Sequence, residues 1–157
     1  MVGSANEFML LTLDNFEQSV ESKIVERGLN YFKGGDVARL EKVADGEFSA
    51  LVLGSDRYEV FIKLDGKTIS KHECDCPYDY GDVCKHKVAV FYAIRRGDFS
   101  DTGDKLNSLL ENLHDSALRR FVSNLLKKDR NFRQEFLREF DEDFEEDDED
   151  EFDEDYY

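Results

Sequence analysis

The chain has 157 residues, 37% of them charged, and a formal net charge of −16. That length suits one compact domain with appendages, and no stretch is long and apolar enough to span a membrane. Three cysteines cannot all pair, which argues against a disulfide framework, and no glycine-rich phosphate loop or paired acid–base histidines mark an enzyme. Residues 8–13 are too short an apolar run, without a basic flank, for a signal peptide, so a reducing cytoplasmic location is expected. The charge is unevenly placed: residues 1–100 carry −4, residues 101–140 carry +1, and residues 141–157 carry −13.

In chain order, Asp14 precedes Glu17 at capping-box spacing, which predicts a helix running to Phe32. Phe16, Val20, Ile24, Leu29 and Phe32 recur along it at roughly helical intervals, and Gly34-Gly35 ends it. Four strand-like runs follow, Val37–Val43, Phe48–Leu53, Arg57–Leu64 and Thr68–Cys74. Asp45-Gly46, Gly54-Ser55-Asp56 and Asp65-Gly66 are turn signals between them. In the third run Tyr58, Val60, Ile62 and Leu64 share one face, while Arg57, Glu59 and Lys63 share the other. Such alternation predicts an antiparallel meander with one buried side.

Cys74 to His86 reads C-D-C-P-Y-D-Y-G-D-V-C-K-H. Cys74, Cys76, Cys84 and His86 supply four donors within thirteen residues, and they include every cysteine of the chain. Tetrahedral zinc takes such a Cys3His set, and four protein ligands leave no open position for chemistry, so one structural Zn2+ is expected. Residues two apart diverge on a helix, so the first pair must lie on extended or turned backbone. Pro77 ends the strand after it, Tyr78–Asp82 turns the chain, and Cys84 and His86 open a helix spanning Val83–Arg96 before Gly97. Three thiolates and a neutral imidazole leave the site about −1, a charge that the nearby Lys71, Lys85 and Lys87 would balance. His72 and Asp75 are the spare donors, His72 being the first substitute.

This pattern, with Cys-Pro after the first pair and Cys-Lys-His-Lys-Val-Ala at the second, resembles the SWIM zinc finger. The likeness extends upstream through Arg27–Val37, Ala50–Ser55 and Tyr58–Val60 to cover roughly residues 24–96, in the manner of the bacterial and archaeal type. The resemblance implies a zinc-stabilised module that binds DNA or proteins, often attached to remodelling ATPases, transposases or ubiquitin ligases. Here no such catalytic core accompanies it, so a remodelling or helicase-type partner would act in trans.

Beyond Gly97 the helical period resumes after a flexible joint expected around Asp98–Gly103. One stripe holds Leu106, Leu109, Leu110 and Leu113; a second holds Leu118, Phe121, Val122, Leu125 and Leu126. Phe132, Phe136, Leu137 and Phe140 make a third, and Asp104, Asp115 and Asp129 stand near helix starts. The tail Asp141–Tyr157 is too acidic to bury a core and is expected to be disordered. The whole predicts an α+β fold: an N-terminal helix, a small meander, a zinc site joining sheet to helix, a helical block and an acidic tail. Its parts are residues 14–97, 104–140 and 141–157.

Two functions fit. The first is a protein-interaction adaptor that uses the helical block and the tail for docking. The second is DNA binding through a basic face, for which Lys71, Lys85, Lys87, Arg95 and Arg96 are the candidate contacts, to partner or nucleic acid alike. Arg39, Lys42, Arg57, Lys63 and Lys67 would add phosphate contacts. The net acidity of residues 1–100 favours the adaptor. No membrane and no small-molecule substrate is expected in either case.

Overall fold

Gly46 and Gly66 hold φ values of 71° and 60°, in the left-handed region that tight hairpins require and that glycine enters without strain. Around these turns, in a computed structural model that describes residues 9–145, the chain folds into four strands. They are β1 (Val37–Ala44), β2 (Glu47–Leu53), β3 (Arg57–Asp65) and β4 (Thr68–Cys74), each antiparallel to the next. A two-residue strand, β5 (Ser100–Asp101), adds in parallel to β1, giving the order β4-β3-β2-β1-β5. The expected α+β class and the meander stand; the fifth strand is additional.

The helices are α1 (Phe16–Ser19), α2 (Ser22–Lys33), α3 (Lys85–Arg96), α4 (Gly103–Asn112), α5 (Asp115–Lys128) and α6 (Arg130–Phe140). Every residue from Val88 to Ile94 is buried, which a helix permits only when it is covered on all sides. The sheet covers α3 on one side and α2 on the other. Gly28 sits where the two helices meet: a Cβ there would collide with Val88, so only glycine allows this approach. The core is completed by Phe16, fully buried, whose ring meets Phe91 at 5.4 Å and Tyr92 edge-on at 4.9 Å.

One irregularity in β4 decides the site. Lys71 pairs with Lys63, yet Ile69 pairs with Leu64, so Ser70 is the extra residue of a bulge. Strict alternation would place Ile69 and Cys74 on opposite faces of the sheet. The bulge resets the parity, so that Ile69 is buried and Cys74 is turned partly inward.

Two expectations are corrected. The helix expected from Asp14 to Phe32 is two helices, because Val20 and Glu21 are extended, with ψ of 149° and 132°. The break lets Phe16 enter the core while α2 presents Ile24 and Gly28 to it from its own axis. No capping box forms: Asp14 pairs with Lys67, Glu17 pairs with Arg95, and Asn15 precedes the first helix without a side-chain cap. Nor is Asp98–Gly103 a free joint. Thr102 N–H donates to the Lys42 carbonyl at 2.9 Å, and Ser100 and Asp101 pair with Glu41 and Lys42.

The chain divides into two compact units, with the boundary after Leu110. In the second unit α5 and α6 form a hairpin, and Asp129 caps α6 by accepting from the Phe132 N–H at 3.0 Å. Neither helix buries any residue. The disorder expected of the acidic tail falls mostly on residues 146–157, outside the described residues.

Candidate metal centre

Cys74 ends β4 opposite Val60, and Cys76 follows two residues beyond it. Cys84 is the N-cap of α3, in extended conformation, and His86 lies in that helix's first turn. A loop of seven residues joins the two pairs. The four donor atoms lie within 4.8 Å of one another. The His86 Nδ1 is 3.9 Å from the sulfur atoms of both Cys74 and Cys84. A zinc tetrahedron with ordinary Zn–S and Zn–N bonds has edges of about 3.6–3.8 Å, so the cage needs only a slight contraction.

The surroundings fit the metal as well as the spacing does. His86 and Cys84 are buried, and the His86 ring stacks on Tyr58 at 4.2 Å and meets Tyr31 edge-on at 5.4 Å. Its Nε2 is buried without a hydrogen-bond partner, and its Nδ1 has only sulfur within reach. With its Nδ1 turned to the sulfur atoms, the imidazole presents that nitrogen's lone pair to the space between the donors, where a metal would take it. The Lys87 N–H donates to the Cys84 sulfur at 3.5 Å, the kind of outer support that favours a thiolate ligand. Hydrogen bonding from the Cys74 thiol, then from His86 and Lys87, holds Cys84 well below the usual thiol range. The same bond to Cys84, with burial, pushes Cys74 up. Cys84 is therefore the first of this pair to ionise. Cys74, Cys76, Cys84 and His86 are positioned to bind one zinc ion, and that set leaves no fifth protein donor and no gap in a tetrahedron.

Neither spare donor belongs to the set. The His72 Nδ1 is 3.0 Å from the Lys87 ammonium, and burial, then Lys87, holds the imidazole below its usual pKa. Asp75 accepts from the Glu59 N–H at 2.9 Å, tying the start of the loop back to β3.

The basic candidates are mostly engaged within the chain. Lys71 pairs with Glu73 at 3.2 Å and lies over Phe61; Lys87 also donates to the Asp82 carbonyl at 2.7 Å, strapping the loop to α3. Arg95 pairs with Glu17 at 2.8 Å, donates to the Leu13 carbonyl and covers the rings of Phe16 and Tyr92. Arg95 and then Tyr92 hold Glu17 below the usual carboxylate range, while burial and Glu17 push Tyr92 up to about 12. Arg96 pairs with Asp98 at 3.0 Å and lies over Phe32. Lys85 lies over Tyr31 at 5.0 Å, beside the metal cage. Lys85 and Lys87 begin the helix that Arg95 and Arg96 end.

Residue-by-residue reading missed Arg27. It lines a cavity beside the cage together with Lys85, Ser55 and Tyr58. Its helical position carries no metal-site signal, and only the packing of α2 on α3 brings it there.

Among known families, the SWIM zinc finger matches residues 58–95, the stretch holding β4, all four donors and most of β3 and α3. No curated protein matches the chain, and no solved structure does.

Proposed function

This chain carries a SWIM zinc finger, and from that premise we propose that it is a non-enzymatic adaptor binding a protein partner, with zinc holding the fold. The partner that suits a module of this type is a DNA-remodelling or helicase-type protein acting in trans. The carrying observation is the α5–α6 hairpin. Leu118, Val122, Leu126 and Phe136 line an open groove of about 480 Å³, and Phe121 is 61% exposed. Two amphipathic helices with no buried residue cannot offset their own ordering entropy, and a partner surface supplies the missing burial. In α4, Leu106, Leu109 and Leu110 are exposed in the same way.

Charge points in the same direction. Lys71, Lys87, Arg95 and Arg96 already have partners within the chain, so using them on phosphates would break existing contacts. Residues 1–100 carry −4, which repels a polyanion at short range, within a Debye length of about 8–10 Å. The competing reading is DNA binding, held in check by the acidic residues 141–157. Titration of duplex DNA at low salt, with the full chain and with a chain lacking residues 141–157, separates the two. The adaptor predicts no affinity in either form. A gain on truncation, with log K falling linearly against log salt, overturns it.

A further inference from the structure

The loop that joins the two pairs of metal donors does more than close a turn. Tyr78 stands in it as a wall between two cavities, and Ile24 of α2 contributes to the same wall. On one side a cavity of about 280 Å³ has the metal donors Cys76, Cys84 and His86 in its wall, with Arg27, Lys85, Ser55 and Tyr58 around them. On the other, a cavity of about 450 Å³ is lined by Met9, Leu11, Val20 and Tyr80, with Glu21 and Asp82 among its polar groups.

The first cavity has the chemistry of an anion site. In a chain with 37 acidic residues, no carboxylate lines it. About half of the cations of the zinc-finger unit are engaged in ion pairs, and among the described residues Arg27 and Lys85 form none. Lys23, one turn before Arg27 on the same side of α2, is also unpaired. Ser55 and Tyr58 share one hydroxyl–hydroxyl hydrogen bond of 2.8 Å. Whichever of them donates, one hydroxyl hydrogen is left for a ligand. The N-terminus of α3 opens at this point as well, adding its positive end to the cations. One unit of that charge answers the formal −1 of a zinc-loaded Cys3His cage; the rest is uncompensated.

The second cavity has the opposite character. Its apolar side chains and the ring of Tyr80, which is 90% exposed, offer contact area to an apolar or aromatic group, while Glu21 and Asp82 repel an anion. We propose that the two cavities together bind a partner peptide in which an acidic residue stands beside an aromatic one. The acidic side chain enters between Arg27 and Lys85, and the aromatic side chain crosses Tyr78 to lie against Tyr80. This assignment rests on the adaptor reading and names a docking surface on the zinc finger itself. A nucleic-acid backbone suits the site less well, because continuous phosphates on Arg27 would run past Glu21 and Asp82.

Fluorescence anisotropy on the full zinc-loaded chain tests this with a labelled synthetic peptide carrying phenylalanine between two glutamates. Companion peptides replace the glutamates by glutamine or the phenylalanine by alanine. Arg27 and Tyr80 are both exposed, so Arg27→Glu and Tyr80→Ala leave the fold intact, and zinc content verifies that. Arg27→Glu is expected to weaken the acidic peptide about tenfold or more and to leave the glutamine peptide nearly unchanged. Tyr80→Ala is expected to weaken both about fivefold, with little effect on the alanine peptide. No binding of the acidic peptide, or binding indifferent to Arg27→Glu, overturns the pocket and leaves the adaptor reading standing on the hairpin. Duplex DNA that displaces the peptide, and itself loses affinity in Arg27→Glu, overturns both readings together.

Discussion

The zinc-finger unit and the α5–α6 hairpin both follow amphipathic patterns, but only the first satisfies its own. In the zinc-finger unit Phe16, Phe91, Ile62, Val52, Val60, Val88 and Val90 are fully buried, and four metal donors converge at the seam of sheet and helix. In the hairpin no residue is buried, and Phe121 and Phe140 are 61% and 70% exposed. A sheet offers a broad surface on which a helix can be enclosed, whereas two helices bury only the seam between them. The unit that closes on itself holds the four metal donors. The unit that does not is the one with apolar surface left to offer.

The largest effect that would sharpen this contrast is loss of the metal. Structural zinc contributes about 10–16 kcal/mol of apparent binding energy in zinc-finger peptides, and that energy is folding energy. Cys84→Ser, or a strong chelator, is therefore expected to unfold the zinc-finger unit, seen as lost near-ultraviolet dichroism and lost zinc by elemental analysis. A variant that stays folded without zinc would erase the distinction drawn above. Next comes Phe16→Ala, which empties a fully buried ring site and is expected to cost about 3–5 kcal/mol in denaturant unfolding. A loss below about 1 kcal/mol would mean that α1 is not part of the core. The smallest effect belongs to the other unit. Phe121→Ala is expected to change stability by no more than about 0.5 kcal/mol, as at an exposed position free of special contacts. A much larger loss would show that the hairpin buries this ring after all, and the comparison would fail there.

The ligand set was fully legible before any fold was known, because zinc chemistry needs only donor type and spacing and these sit within thirteen residues. The strands were legible too, since glycine turns and period-two alternation are local signals. Other features were not. Val20 and Glu21 contain neither proline nor glycine, so nothing local announced the break between α1 and α2. β5 is two residues long, and its pairing with β1 draws on a chain segment some sixty residues away. Glu17, placed in a capping box by spacing, is instead the partner of Arg95, from the far end of α3.

By itself, then, the sequence determined which atoms could hold a metal and which segments alternate or recur, because those properties are local to the chain. Only the tertiary structure decided which way the donors face. The bulge at Ser70 turns Cys74 to the side where α3 brings Cys84 and His86. Tertiary packing also decided which cations remain available. Arg95, Arg96, Lys71 and Lys87 were equal candidates by composition; Glu17 and His72, distant in sequence, occupy Arg95 and Lys87, while Lys71 and Arg96 pair with acids two residues on, Glu73 and Asp98. The Gly28 crossing, which seats α2 directly on α3, sets Arg27 beside the metal cage. Where the partner comes from another element, as for Arg95 and Lys87, availability depends on distance in space, and no pattern along the chain encodes that distance.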